Sequence, residues 1–264
     1  SAHRARGTMF FGRSSKFGAC ANSAVATSAG RLPRMILLMI CLTLWPAGLR
    51  QALAADHPPD TMEARLLACA ACHGRQGQGT DNDYFPRLAG KPAGYLTNQL
   101  VAFRDGRRRY PPMNYLLEYI PDAYLRQMAE YFAALRPPPM PQAVSDASAA
   151  LLARGHSLVS DGDAAHGVPP CSHCHGSALT GMEPAIPGLV GLHASYISSQ
   201  LGAFRYGTRT AEEPDCMQFV AASLTENDVS AVAAYLASLP IPADPSPVAH
   251  GTLQMPLACG SEPN

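Results

Sequence analysis

The sequence predicts an all-α fold made of two tandem copies of one small domain, each built from a few short helices. Three observations predict it: a long internal repeat, apolar residues at helical spacing in both copies, and no strand alternation of useful length. PRLAGKPAGYLTNQLVAFRDGRR, residues 86–108, aligns with PGLVGLHASYISSQLGAFRYGTR, residues 187–209. Pro86/Pro187, Leu88/Leu189, Gly90/Gly191, Tyr95/Tyr196, Gln99/Gln200, Leu100/Leu201, Phe103/Phe204, Arg104/Arg205 and Gly106/Gly207 match at an offset of 101. AEYFAAL (129–135) matches AAYLASL (233–239) at 104. A repeat of this length makes each copy a supersecondary unit or a small domain.

Residues 1–34 contain basic residues and no acids, and MILLMICLTLWPAGL with Ala52-Leu53-Ala54 follows. A positive flank, a short apolar run and a small-x-small site read as a secretory signal peptide. Pro46 and Arg50 interrupt the run, which is short for a spanning helix. The expectation is a leader over 1–55, cleaved near Ala54-Ala55, and export into an oxidising compartment; the alternative is an uncleaved N-terminal anchor. The first domain is placed at 56–136, a Pro-rich linker at 137–145, the second domain at 146–243 and a tail at 244–264.

In the first domain a helix over Asp60–Ala68 is expected to lead into CAACH, and its counterpart to start near Asp146. A second helix follows Pro92 or His193 and puts Tyr95, Gln99, Leu100 and Phe103 at helical spacing. In the last helix of the second copy, Thr225 with Asp228 reads as a capping box. Val229, Val232, Ala233, Leu236 and Leu239 form its apolar stripe, and Pro240 ends it. The first copy opens the same helix at Pro121 and Asp122, with Leu125, Met128, Phe132 and Leu135 on its face.

The chemistry lies in CAACH (69–73) and CSHCH (171–175), offset by 102. Residues three apart share a helical face, so Cys69 with Cys72, and Cys171 with Cys174, can present two thiols to the two vinyl groups of one haem. His73 and His175 follow at once and can turn an imidazole onto the iron. Zinc wants its second ligand pair about 12–20 residues away, and a thioredoxin-like dithiol wants a βαβ setting. Two such motifs in register behind an export signal predict two covalently attached haem c groups. His173, between the cysteines, reads as a solvent-facing filler.

An iron that only moves electrons takes a sixth ligand, and methionine raises its potential. Met113 lies seven residues before Ile120 and Met217 seven before Leu224, matched positions 44 and 46 residues after their first Cys. Their rivals are Met128, which falls on a core face, and Met140, Met182 and Met255, which have no repeat partner. Pro86 and Pro187, each opening Pro-x-Leu-x-Gly, can offer a backbone carbonyl to the haem histidine, a contact that fixes the ring and tunes the iron.

Two haem domains that each run CxxCH, Pro-x-Leu-x-Gly, Tyr-xxx-Gln-Leu-xx-Phe-Arg-x-Gly, Met and an Ala-xx-Tyr helix resemble the dihaem cytochrome c4 family over most of residues 60–240. The resemblance implies domains facing each other across a pseudo-twofold interface with the haem propionates near it, and His/Met ligation of both irons. It also implies a periplasmic carrier, soluble or loosely membrane-associated, passing electrons among respiratory proteins. Two departures stand out: Pro121 replaces the usual Ser or Thr cap, and Cys216 adjoins Met217. A Cys216 thiolate at the iron would lower its potential; the other reading is a disulfide with Cys259, suited to an oxidising compartment.

Formal net charge is zero over the whole chain, but seven of the 20 basic residues lie in the first 54 and none of the acids do. Residues 56–140 carry 10 bases and 9 acids; residues 141–264 carry 3 and 11. An exported, net acidic chain argues against nucleic-acid binding. Arg104, Arg107, Arg108 and Arg109 are expected to meet an acidic surface of a redox partner, the other reading being a solvated run that also pairs with propionates. Expected partners are a membrane quinol-oxidising complex, a terminal oxidase or a dehydrogenase. Three functions are consistent with the sequence: a free electron carrier, the cytochrome subunit of a larger dehydrogenase or oxidase, and a dihaem peroxidase with an open position on one iron.

Overall fold

The computed structural model describes residues 59–140 and 146–262. Residues 1–58, where the leader and its signal peptide are expected, residues 141–145 of the expected linker and the last two residues lie outside the described residues. Both repeats fall within one unit starting at Pro58.

The first domain opens with α1 (Met62–Arg65), where the Thr61 hydroxyl accepts from the Ala64 N–H. Leu66 is buried in the core and separates it from α2 (Leu67–His73), so the expected single helix is two short ones. Then come α3 (Ala93–Arg104), α4 (Pro111–Leu117) and α5 (Asp122–Ala134). The second domain contains α6 (Ala149–Ser160) capped by Ser148, a 3₁₀ turn at Ala164–His166, and α7 (Cys171–His175). A two-stranded hairpin follows, β1 (Gly181–Met182) and β2 (Ile186–Pro187), and then α8 (Ala194–Arg205), α9 (Cys216–Ser223) and α10 (Glu226–Ser238). The hairpin was not expected, because two-residue strands are too short to carry an alternating pattern.

Each domain has its own core. In the first, α3 packs on α5 through Leu96, Phe103, Leu125, Met128 and Phe132. In the second, α10 packs on α6 and α8 through Leu158, Ile197, Val232 and Leu236. The α6–α10 crossing is close because Gly155 lies on it: a Cβ there would collide with the Ala231 carbonyl and approach the Tyr235 Cβ to 2.6 Å.

The last helices start differently. Thr225 and Asp228 form the capping box, and Asp228 also accepts from Arg154 Nε at 2.8 Å. Pro121 has no side chain to cap α5. Arg104 on α3 instead donates to the Ile120 carbonyl at 3.2 Å and to Asp122 at 2.5 Å. Its repeat partner Arg205 holds the matching Leu224 carbonyl at 2.5 Å.

The domains meet around a pseudo-twofold exchange of contacts. The Arg109 N–H donates to the Thr208 carbonyl at 2.9 Å, and the Thr210 N–H to the Arg107 carbonyl at 2.8 Å, pairing Arg108 with Arg209 as antiparallel backbone. Arg108 donates to Gln99, Gln200 and the Tyr196 hydroxyl; Arg209 donates to Gln200, Gln99 and the Tyr95 hydroxyl, all within 3.2 Å. Each guanidinium also lies over a ring, Arg108 on Phe103 at 4.5 Å and Arg209 on Phe204 at 4.3 Å.

This geometry overturns the expectation of a four-arginine docking patch. Arg108 is buried between the domains, Arg107 pairs with Glu212 at 2.8 Å, and Arg104 is engaged by Asp105 and Asp122. Of the four only Arg109 is exposed. The sequence run mixes residues of an internal interface with residues of the surface.

Candidate haem sites

Helix α2 carries Cys69 and Cys72 on one turn and ends at His73; α7 carries Cys171 and Cys174 and ends at His175. Both helices stop there because Gly74 and Gly176 follow with φ of 79° and 83° and extended ψ, a region open essentially to glycine alone. The chain then returns over the histidine. His73 Nδ1 lies 2.9 Å from the Pro86 carbonyl oxygen, and His175 Nδ1 lies 2.7 Å from that of Pro187. A carbonyl only accepts, so in each ring Nδ1 carries the proton and Nε2 keeps the lone pair that a metal would take. Burial lowers the pKa of both rings despite these bonds, which favours the neutral imidazole.

The four motif cysteines are unpaired. Burial pushes the Cys69 and Cys174 thiols up, and Cys171 up to about 11. A reactive redox dithiol has the opposite tendency.

Met113 and Met217 sit on equivalent short helices, α4 and α9. Met113 packs against the first core. Met217 lines a large cleft together with Cys171, Cys174, His175 and Pro187. Its empty space is about 1450 Å³ with the open mouth included. Of the rival methionines, Met128 and Met182 are buried in the cores at 5% and 2% exposure, whereas Met255 lines the same cleft as Met217. Cys216 is bonded to Cys259, which removes its thiolate as a ligand.

Comparison with known proteins identifies this arrangement. The Cytochrome c family model matches residues 64–146 and again 154–240. A cytochrome c4 of Pseudomonas aeruginosa is 36% identical over 77% of this chain and 98% of its own length. The chain belongs to the dihaem cytochrome c4 family. A thiosulfate dehydrogenase electron acceptor of Thiomonas intermedia is 36% identical over 71% of this chain and 83% of its own. Among solved structures, reduced cytochrome c4 from Pseudomonas stutzeri superposes with a TM-score of 0.58 at 32% identity, covering 67% of this chain and 96% of that one. Thiosulfate dehydrogenase (TsdBA) from Marichromatium purpuratum gives 0.59 at 34% identity, covering 65% of this chain and 36% of that one.

As a member of the cytochrome c4 family the chain is a dihaem electron carrier with two covalently attached haem c groups. The residues present suit such groups in a further respect: the sequence reading offers Arg108 as a propionate partner but misses Lys91 and Arg209. Lys91, Arg108 and Arg209 are gathered at the domain interface, and among the described residues no carboxylate pairs with any of them. Burial lowers the pKa of Lys91 and Arg209, and Arg209 Nε is buried with no hydrogen-bond partner. Although burial raises the Tyr95 hydroxyl, Arg209, Arg108 and Lys91 together draw it down to about 8. Lys91 and Arg209 both border the second cleft, which is otherwise largely apolar. An apolar slot with unmatched cations at its edge suits a planar hydrophobic group that bears carboxylates. The repeat itself was the available signal: Tyr95/Tyr196 and Gln99/Gln200 are polar residues kept in both copies.

Proposed function

We propose that Cys69, Cys72 and His73 hold the first haem and Cys171, Cys174 and His175 the second. His73 and His175 act as proximal ligands through Nε2, and Met113 and Met217 supply the sixth ligands. The Pro86 and Pro187 carbonyls fix the ring orientations and raise imidazole basicity. Lys91, Arg108 and Arg209, gathered at the domain interface, would pair with the carboxylates of such groups. The haem groups supply one-electron exchange at their irons; the chain supplies burial, ligation and the fixed approach of one site to the other. The observation that carries this reading is the twin His–carbonyl pair, 2.9 and 2.7 Å, repeated around twin thiol pairs.

The functional reading is an exported, periplasmic cytochrome that shuttles single electrons between redox proteins, among them a quinol-oxidising complex, a terminal oxidase or a dehydrogenase. The 36% identity to a thiosulfate dehydrogenase electron acceptor supports a dehydrogenase as one donor, and a stable cytochrome subunit of such an enzyme as the second reading. Among the described residues no helix is long and apolar enough to cross a membrane, which is compatible with loose association. Optical spectra of both redox states with a redox titration test the proposal. The expected result is two low-spin haems, both with the weak long-wavelength sulfur-to-iron band. One high-spin haem lacking that band would favour a peroxidase-type enzyme instead.

A further inference from the structure

The C-terminal tail is built into the second domain and has no counterpart in the first. Val248 pairs with the hairpin: its N–H donates to the Gly181 carbonyl and its carbonyl accepts from Glu183, both at 2.9 Å. The Gly260 N–H donates to the Pro214 carbonyl at 3.0 Å, and Cys259 is bonded to Cys216, the first residue of α9 and the neighbour of Met217. The buried Glu262 carboxylate accepts from the Ala185 N–H at 3.1 Å and meets His250 at 3.3 Å. The first domain also holds this tail, through Asn98 Nδ2 to the Ser261 carbonyl at 3.1 Å. Between these anchors the tail presents Met255 and Leu257 to the second cleft.

We propose that this tail is a strap completing the second haem site: Met255 and Leu257 form its outer wall, and the Cys216–Cys259 bond keeps that wall shut beside Met217. The inference rests on the haem reading given above. The strap excludes water and small ligands from the second iron, and exclusion of water favours the less charged, reduced iron. The bond works at the right place, because it joins the helix that carries Met217 to the segment that covers it. Without the bond, residues 254–262 keep only a few backbone and carboxylate contacts, and local opening becomes easy.

The test uses the full dihaem protein as Cys216→Ser/Cys259→Ser and, with the disulfide intact, as Met255→Ala. Cyanide binding to the ferric protein and the two haem potentials are measured, with the first haem as internal control. Cyanide should bind the second iron about tenfold faster or more in the double variant as the wall opens, and its potential should move negative while the first haem stays put. Met255→Ala should shift both readouts in the same direction by less, and it decides the matter alone if the double variant does not fold. Wild-type cyanide rates and potentials in the folded variants overturn the strap. A protein carrying only one haem by mass overturns the site assignment beneath it, and is told apart by that count.

Discussion

Lys91 belongs to the first domain, yet its Nζ donates to the Gly188 carbonyl of the second at 3.1 Å. Gly188 directly follows Pro187, whose carbonyl holds the His175 ring at 2.7 Å. One domain thus places a half-buried cation against the loop that orients the other domain's histidine. The repeat partner of Lys91 is Leu192, so the arrangement is one-sided.

Lys91→Met should therefore act on one haem. Removing a positive charge favours the more positive, oxidised iron, so the second potential should fall by tens of millivolts, where ~59 mV is a tenfold change in a one-electron equilibrium. The first should move little. A two-centre redox titration checks this; equal shifts at both haems would place Lys91 between the two sites rather than at the second.

Gln99 and Gln200 each accept from both interface arginines. Gln99→Leu with Gln200→Leu keeps the packing volume close but leaves guanidinium donors buried without acceptors. Each orphaned group should cost about 1–3 kcal/mol, read as a lower midpoint in thermal unfolding. The single variants should together cost a different amount from the double one, because the groups form one network.

Gly155→Ala sets two effects in opposition. Alanine in a helix gains about 0.5–1 kcal/mol over glycine, but the new Cβ runs into the Ala231 carbonyl. Backbone cannot yield as a side-chain tip can, and such overpacking costs about 1–3 kcal/mol. The variant should be destabilised in the second domain, and chemical denaturation should show it. An unchanged or raised midpoint would mean that α6 and α10 can separate freely.

Arg154 and His166 hold the Asp163 carboxyl well below its ordinary 3.8, at about 2. A depressed carboxylate stabilises the fold fully above its unfolded value, and that contribution disappears as pH falls through the folded one. Second-domain stability should therefore decline between about pH 4 and pH 2, and Arg154→Ala should flatten the decline while lowering stability at neutral pH. Thermal unfolding across that pH range is the measurement.

Much of this was legible in the sequence because it was local. The Thr225–Asp228 capping box and the Cys-x-x-Cys-His turns depend on spacing within one helical turn, and the repeat set the helices in order. What escaped depends on contacts across the chain. Arg108 reads as one more charge in a surface run, since it sits between Arg107 and Arg109 in sequence while its neighbours in space are Gln99, Gln200 and Tyr196. The tail has no periodic signal at all, being held by backbone bonds to the β1–β2 hairpin and to Pro214, by Asn98 of the first domain, and by one carboxylate and one disulfide. Met255 consequently ranked as a methionine without a repeat partner, although it faces the same cleft as Met217.

The reciprocal Arg108–Arg209 contact has the form of the interface of a symmetric dimer, in which each half offers the other the same patch. Between separate molecules so polar a patch would compete poorly with water. Here the second half is always at hand, at the millimolar effective concentration that a short tether provides, so association does not have to be strong to be permanent. Being encoded twice also frees each half from matching the other. One copy can carry Lys91 where its twin has Leu192, and only one need grow a tail, so a symmetric joint ends up connecting two unlike redox centres.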